Sequence, residues 1–174
     1  MTTARHTLTP AARLRPFTRS LPMQLVRARE ALMQRFRPHL HEHGLTDQQW
    51  RILRALAETK VVEIGELSTR CCIHPASLSR ILPKLDAAGL TTRRLHAGDK
   101  RKVMISLTVP GRRMVEHVMP RSDEVYAAVG RTLGVKRMRE TYRVLDELIA
   151  ALAQDESDGA PNTASTKRQK RTRD

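Results

Sequence analysis

The chain has 174 residues, and its 32 lysines and arginines against 18 acidic residues give a formal charge of +14, so a polyanion such as nucleic acid is the first partner to consider. Only 3% of the residues are aromatic, which favours a mainly α-helical fold with an aliphatic core over a sandwich or a barrel. No apolar run is long enough for a membrane span, the N-terminus lacks a secretory signal, and the adjacent Cys71 and Cys72 exclude a disulfide-stapled fold. We therefore expect a cytoplasmic protein that binds no membrane.

The N-terminal part of the chain has the apolar spacing of helices. A flexible basic segment over residues 1–18 precedes a helix predicted over about 19–43, whose apolar residues recur every three or four positions. Thr46 and Gln49 have the spacing of a capping box, and they predict the start of a second helix that ends near Glu58.

The next elements predict a helix pair. A short extended piece at Val61-Val62 leads into a third helix over 64–71. The sequence His74-Pro75-Ala76-Ser77 is typical of a helix start, because proline suits the first turn. It begins a fourth helix, which has Pro83 in its interior and Gly89 as its C-terminal stop.

After Gly89 the apolar period changes from that of a helix to that of a strand. Residues 90–95 and 100–107, joined by a turn at 96–99, predict a two-stranded hairpin that we call the wing. Its strands and turn carry a cluster of lysines and arginines, with Asp99 as the only acid. A solvated, charged sheet edge is the alternative interpretation of this cluster.

The C-terminal part predicts two more helices and a tail. The helices run over about 109–130 and 135–153 and are separated by a break at Gly130 and Gly134. The last residues, 154–174, have no apolar period and are rich in Ser, Thr, Asp, Lys and Arg, which predicts a disordered tail.

A helix pair followed by a basic hairpin is the arrangement of a winged helix-turn-helix, in which the second helix of the pair enters the major groove of DNA. We therefore predict a DNA-binding domain over residues 45–108. Asp99 is expected to pair with Arg101 and to hold it extended for a narrow minor groove. The residues predicted to contact DNA have donors or small apolar groups that suit phosphates and base edges. They are Pro75, Ala76, Ser77, Ser79, Arg80, Lys84, Arg93, Arg94, Asp99, Lys100, Arg101 and Lys102.

The sequence contains three further motifs: Leu45-Thr46-x-x-Gln49-Trp50, Ser77-Leu78-x-Arg80-x-Leu82 and Asp99-x-Arg101-x-x-x-Ile105-Ser106-Leu107-Thr108, with Gly111 closing the wing. They resemble those of the MarR family of winged-helix transcriptional regulators, and the resemblance covers roughly residues 20–150. Within the family, the chain is most similar to regulators of homoprotocatechuate and related aromatic-acid degradation, with a repressor of nicotinate catabolism as the alternative. Pro83 departs from the usual pattern, in which a polar helix former is commoner.

The resemblance implies a repressor that binds a palindromic operator as a homodimer and responds to a small aromatic carboxylate. The helices over 19–44 and 109–153 would form the dimerisation region, and each protomer would read half of the operator. The physics agrees, because a winged helix alone is too small to cover the apolar faces of three long helices.

An aromatic carboxylate needs a cation and a flat apolar wall. Arg29 falls on the apolar face of the first predicted helix, where a guanidinium needs a carboxylate partner. That partner is either the effector or an acid of the chain itself, such as Glu30. Trp50 is either the wall or a core residue. The residues predicted to form the effector site are Arg29, Met33, Trp50, Arg51 and Cys71.

Other classes of function find little support in the sequence. The chain has no phosphate-binding Gly-rich loop and no HExxH motif, so we expect no enzyme, no cofactor and no metal. His39, His41 and His43 alternate, which favours a solvated helix end over a metal site. Two other functions are alternatives to a ligand-responsive repressor. One is a redox-sensing regulator that uses Cys71 and Cys72, although a buried structural role suits at least one of these cysteines better. The other is a nonspecific architectural DNA-binding protein.

Overall fold

The structure, a computed structural model, describes residues 16–158, with side chains up to residue 154. The chain divides into two compact units after Val125. Most of the predicted tails, residues 1–15 and 159–174, lie outside the described residues. The prediction that the last helix ends at 153 is wrong: the helix continues to Asp158, because residues such as Gln154 and Glu156 are good helix formers.

The helices of the first unit follow the predicted order. Thr46 caps the second helix as predicted, since its side chain accepts from the Gln49 backbone N–H at 3.3 Å while the Gln49 side chain accepts from the Thr46 N–H at 2.9 Å. A 3-10 turn at Phe17–Arg19 precedes the first helix. The elements up to the wing are α1 (Leu21–Glu42), α2 (Asp47–Ala57), β1 (Val62–Glu63), α3 (Ile64–Cys71) and α4 (Pro75–Ala87).

The wing belongs to a three-stranded antiparallel sheet in the order β1-β3-β2, with β2 at Thr91–Leu95 and β3 at Val103–Leu107. Val62 of β1 pairs with Ile105, so the predicted two-stranded hairpin has a third strand. The prediction that the second wing strand begins at Lys100 is wrong. Hydrogen bonds from Lys102 N to Asp99 O and from His96 N to Lys102 O close a loop over 96–102, which we call the wing loop.

Aliphatic side chains form the core of the first unit, as the composition predicts. Trp50 belongs to this core and is 8% exposed. Pro83 is exposed and does not end α4, which continues to Ala87. The residues that are fully buried include Leu40, Ile52, Leu53, Leu56, Leu67, Leu78, Leu82, Leu85, Ile105 and Val118.

Gly111 determines how the next helix, α5 (Val109–Leu133), packs beneath the end of α4. A Cβ at position 111 would lie 2.0 Å from the carbonyl oxygen of Leu90, so only glycine fits there. Thr108 completes the joint, since its hydroxyl lies 3.2 Å from the Leu90 oxygen and accepts from the Gly111 N–H at 3.0 Å. The wing is therefore held at its base by the first turn of α5.

The second unit contains the end of α5 and the last helix, α6 (Val135–Asp158). The predicted break at Gly130 is wrong, because a glycine inside a helix weakens the helix without ending it. The break lies at Gly134, which has the left-handed conformation that glycine adopts readily (φ 86°). None of the described helices has the length and hydropathy that a membrane span requires.

Candidate nucleic-acid interface and effector site

Helix α4 presents a polar face opposite its buried leucines. Its N-terminus is capped by His74, whose Nδ1 accepts from the Ala76 N–H at 3.3 Å, a role that the sequence analysis missed. Arg80 lies along the helix surface, where its Nε donates to the Ala76 carbonyl at 3.4 Å. The predicted contact residues Pro75, Ala76, Ser79, Arg80 and Lys84 are exposed, and Ser77 is half-buried.

Asp99 and Arg101 form the predicted pair at the tip of the wing. Arg101 Nε lies 3.1 Å from Asp99 Oδ1, NH2 lies 3.3 Å from Oδ2, and the Arg101 backbone N–H donates to Oδ1 at 3.0 Å. These hydrogen bonds hold the pKa of the Asp99 carboxyl below its usual value. The Arg101 side chain remains 92% exposed, so the pair is confirmed and leaves the guanidinium accessible to a ligand.

The other wing cations differ in their partners. Lys102 Nζ lies 3.1 Å from a carboxylate oxygen of Glu63 on β1, which raises the pKa of the lysine, and Arg93 Nε pairs with Asp86 of α4. In the part of the chain that the structure describes, Arg94, Lys100 and Lys84 have no ion-pair partner and are exposed. The predicted DNA-contacting set therefore contains both paired and unpaired cations.

Of the predicted effector residues, Arg29 on α1 approaches α2 at Asp47. Arg29 NH2 lies 4.0 Å from Asp47 Oδ2, and the Arg29 side chain is 50% exposed. The alternative of an acid within the chain is therefore present, at the limit of an ion pair. Met33 is half-buried against the core, and Trp50 follows Asp47 by one turn of α2.

Arg37 is a residue at this contact that the sequence analysis missed. Its guanidinium makes three hydrogen bonds to Asp47, at 3.0 to 3.3 Å, and its NH2 donates to Glu30 at 2.9 Å. The bond from Arg37 lowers the pKa of Glu30. A cation one turn beyond Met33 on the same helix was the available sequence signal, but its partner lies on another helix.

Arg51 and Cys71 form a separate contact between α2 and α3. Arg51 NH1 donates to the carbonyl oxygen of Cys71 at 2.8 Å. Burial raises the pKa of the Cys71 thiol, which disfavours the reactive thiolate. Cys72 is exposed and has the left-handed conformation (φ 46°) at the end of α3. Of the predicted effector residues, Arg51 and Cys71 thus contact each other, whereas Arg29 approaches Asp47 and Trp50 lies in the core.

The three histidines at the end of α1 do not form one solvated cluster, and this prediction is wrong for His39. His39 shares the inward face of α1 with Phe36 and Leu40, and its Nε2 lies 3.1 Å from the hydroxyl of Ser122 on α5. His43 stacks edge-on against His117. Among the side chains that the structure describes, residues 16–154, no three His, Cys, Asp or Glu gather as ligands for a metal ion.

Comparison with known proteins places this geometry in a family. Residues 45–103 match the model of the MarR family. The HTH-type transcriptional regulator FarR of Neisseria gonorrhoeae is 41% identical over 137 residues, which cover 79% of this chain and 91% of FarR. The chain belongs to the MarR family. It is a transcriptional regulator and not an enzyme, as the motifs predicted.

Two further MarR-type proteins are similar over most of their length. The homoprotocatechuate degradative operon repressor of Escherichia coli is 37% identical over 131 residues, which cover 75% of this chain and 88% of the repressor. The crystal structure of NadR in complex with 4-hydroxyphenylacetate superimposes with a TM-score of 0.68 at 39% identity, and covers 83% of this chain and 98% of NadR. The predicted resemblance to regulators of the homoprotocatechuate type is confirmed.

Proposed function

We propose that this MarR-family regulator is a repressor that binds a palindromic operator as a homodimer and is controlled by a small aromatic carboxylate. The observation that carries the proposal is the set of exposed cations on α4 and the wing. Arg101 projects from the wing tip on its Asp99 brace, while Arg80 and Lys84 lie on the exposed face of α4. This is the geometry of a helix for the major groove and an arginine for the minor groove.

Two-fold pairing of the chain is supported by the apolar stripe of α6. The stripe alternates spacings of three and four residues, which is the pattern of helices that pack against other helices. In the described part of α6, no residue is buried within the protomer. A homodimer would cover the stripe and place its two α4 helices on half-sites about 10 bp apart. The stripe consists of Val135, Met138, Tyr142, Leu145, Ile149 and Leu152.

The effector proposal combines a relative with the charges at the α1–α2 contact. NadR, 39% identical, was crystallised with 4-hydroxyphenylacetate, which is an aromatic carboxylate. In this chain Arg37 already satisfies Asp47 with three hydrogen bonds. The more distant Arg29 can therefore exchange Asp47 for the carboxylate of an effector without leaving an acid unpaired. Trp50 lies one turn after Asp47 on α2 and belongs to the core. We propose that its side chain contacts the aromatic ring of the effector.

An effector at this position would act on DNA binding through helix spacing. The α1–α2 contact joins the predicted dimerisation region to the winged helix, so an effector that binds one spacing of the two α4 helices better than another shifts the population toward it. The controlled genes would be those for catabolism of aromatic acids or of hydroxylated nicotinates. The similarity to the homoprotocatechuate degradative operon repressor of Escherichia coli supports genes for the catabolism of aromatic acids.

Fluorescence polarisation tests the proposed function. The protein is titrated into labelled DNA from upstream of its own gene and into random DNA of equal length, with and without hydroxylated benzoates, phenylacetates, cinnamates and nicotinates. We expect at least about a thousandfold preference for the upstream DNA, changed by one class of compound. Equal affinity for both DNAs with a steep salt dependence would instead indicate a nonspecific architectural protein, which the charge of +14 also permits.

The wing is tested separately by Arg101→Ala. Because the Arg101 guanidinium is exposed and, among the residues that the structure describes, pairs with Asp99 alone, its removal should cost roughly 1–3 kcal/mol of operator affinity and leave the fold intact. Sedimentation of the variant checks that its oligomeric state equals that of the wild type. An unchanged affinity would exclude Arg101 from the interface.

A further inference from the structure

We propose that Asp86 is a positioning residue that fixes the wing relative to the recognition helix α4, and that Arg93 serves as its partner and not as a phosphate contact. The inference rests on the proposed DNA-binding function. In this proposal, Arg93 helps to orient the wing, whereas an unpaired wing cation such as Arg94 neutralises DNA phosphates.

Asp86 uses both carboxylate oxygens on the same strand of the wing. It lies in the last turn of α4, and its side chain is 21% exposed. Oδ1 accepts a hydrogen bond from the hydroxyl of Thr91, and Oδ2 pairs with Arg93 Nε. Thr91 is 3% exposed, so one end of this network is buried between the helix and the sheet.

The two partners stand on one face of β2, because residues two apart in a strand point to the same side. Thr91 pairs with Leu107 and Arg93 pairs with Ile105 of β3. Through these pairs, a carboxylate on α4 fixes the direction in which both wing strands leave the helix. The wing loop, which carries Arg101, lies at the far end of those strands, where a small change of direction becomes a large displacement.

Arg94 provides the contrast on the same strand. It is adjacent to Arg93, exposed and on the opposite face of β2, and it pairs with no acid whose side chain the structure describes. Counterions condensed on DNA are released when a protein cation neutralises a phosphate. Arg93 is held by Asp86 and is 44% exposed, so it should displace few of them, whereas the exposed Arg94 is available to a phosphate. Arg93 and Arg94 should therefore differ in their effect on the salt dependence of binding.

The experiment measures operator affinity as a function of salt concentration for the wild type, Arg93→Gln, Arg94→Gln, Asp86→Asn and the Asp86→Asn/Arg93→Gln double variant. We expect Arg93→Gln and Asp86→Asn each to weaken binding about fivefold at every salt concentration, with the slope of log K against log[salt] unchanged. The double variant should bind no more weakly than the weaker single variant. Arg94→Gln should reduce the slope by about 0.9 for each protomer bound.

The opposite pattern would overturn the inference. If Arg93 contacts a phosphate, Arg93→Gln reduces the slope as Arg94→Gln does, while Asp86→Asn leaves binding unchanged or tightens it by releasing the arginine. Thermal unfolding of each variant identifies a loss of fold. If Asp86→Asn unfolds the protein, Arg93→Gln still tests the inference, because it alters only an exposed side chain.

A measurement without DNA separates this inference from the proposed function. Amide hydrogen exchange of the free protein should become faster in β2 and β3 of Asp86→Asn and remain unchanged in α2. Equal exchange in the wing of wild type and variant would refute the positioning role. If the wild type does not prefer the upstream DNA, the proposed function fails, and the exchange result still decides whether Asp86 holds the wing.

Discussion

A single methyl group at residue 111 would collide with the backbone that joins α4 to the wing. The Cβ of an alanine there would lie 2.0 Å from the Leu90 oxygen and 3.0 Å from its carbonyl carbon. These are main-chain atoms and cannot rotate away, so the first turn of α5 must shift. We expect Gly111→Ala to lower the free energy of unfolding by about 2 kcal/mol or more, measured by urea denaturation.

Gly65 provides the matched control for this substitution. It lies in α3 with helical backbone, and the nearest atom to an added Cβ is a side-chain oxygen of Glu63 at 3.9 Å. Gly65→Ala should therefore raise the free energy of unfolding by about 0.5–1 kcal/mol, because alanine loses less backbone entropy in a helix. A similar loss of stability in both variants would mean that the close approach at Leu90 is not the cause.

The sequence could predict residue pairs that are local and could not predict those that join distant segments. Asp99 and Arg101 are two positions apart in one loop, so their pairing follows from the sequence and is confirmed. Arg37 and Asp47 lie on two helices, and their contact depends on how α1 crosses α2. Asp86 and Arg93 likewise meet only after β2 returns along α4. The sequence therefore predicted Arg93 as a DNA contact and could not reveal that Asp86 competes for its guanidinium.

At the scale of elements, the spacing of apolar residues predicted the order of helices and strands. The errors arose at element boundaries that are determined by hydrogen bonds between residues distant from each other along the wing. Lys100 and Lys102 were predicted on the second wing strand, but hydrogen bonds across residues 96–102 close a loop instead. The burial of His39 was missed for a related reason. His39 lies near the end of a predicted helix, and its burial depends on the packing of α5 against α1.

The buried His39 makes the α1–α5 contact sensitive to pH. Burial, followed by the positive charge of Arg121 and then by His43, holds the pKa of His39 below its usual value of about 6.5, although Glu42 and Glu124 oppose the shift. At neutral pH the ring is uncharged in both folded and unfolded chains. As the pH falls below about 6.5, the unfolded chain binds a proton that the folded chain does not, so stability is lost.

Urea denaturation at pH 7.5 and 5.5 tests this pH dependence. Wild type should lose more free energy of unfolding between these pH values than His39→Gln does, by at most about 1.4 kcal/mol per pH unit for one proton. His41→Gln is the control, because His41 is exposed on the same helix, and it should lose as much stability as the wild type. Parallel pH profiles for wild type and His39→Gln would contradict the assignment.

At the scale of the whole molecule, the residues that the structure describes leave the α6 stripe largely uncovered. Its apolar residues at positions 135, 142, 149 and 152 are each more than half exposed. An exposed stripe of this length on a monomer would favour aggregation, whereas a second copy would bury it on the two-fold axis that a palindromic operator requires. In the proposed homodimer, dimerisation and operator recognition would therefore be linked, because separate protomers would each hold half of the contacts.

Charge placed on the stripe tests this link. Ile149→Glu puts a carboxylate on the proposed interface, where it would be buried without a partner, and should dissociate the dimer at micromolar concentration as measured by analytical ultracentrifugation. Operator affinity should fall with it, since half of the contacts are lost. Ala151→Glu adds the same charge to the opposite face of α6 and should leave both the dimer and operator binding intact. A monomeric Ile149→Glu variant that still bound the operator as tightly as the wild type would show that one winged helix is sufficient.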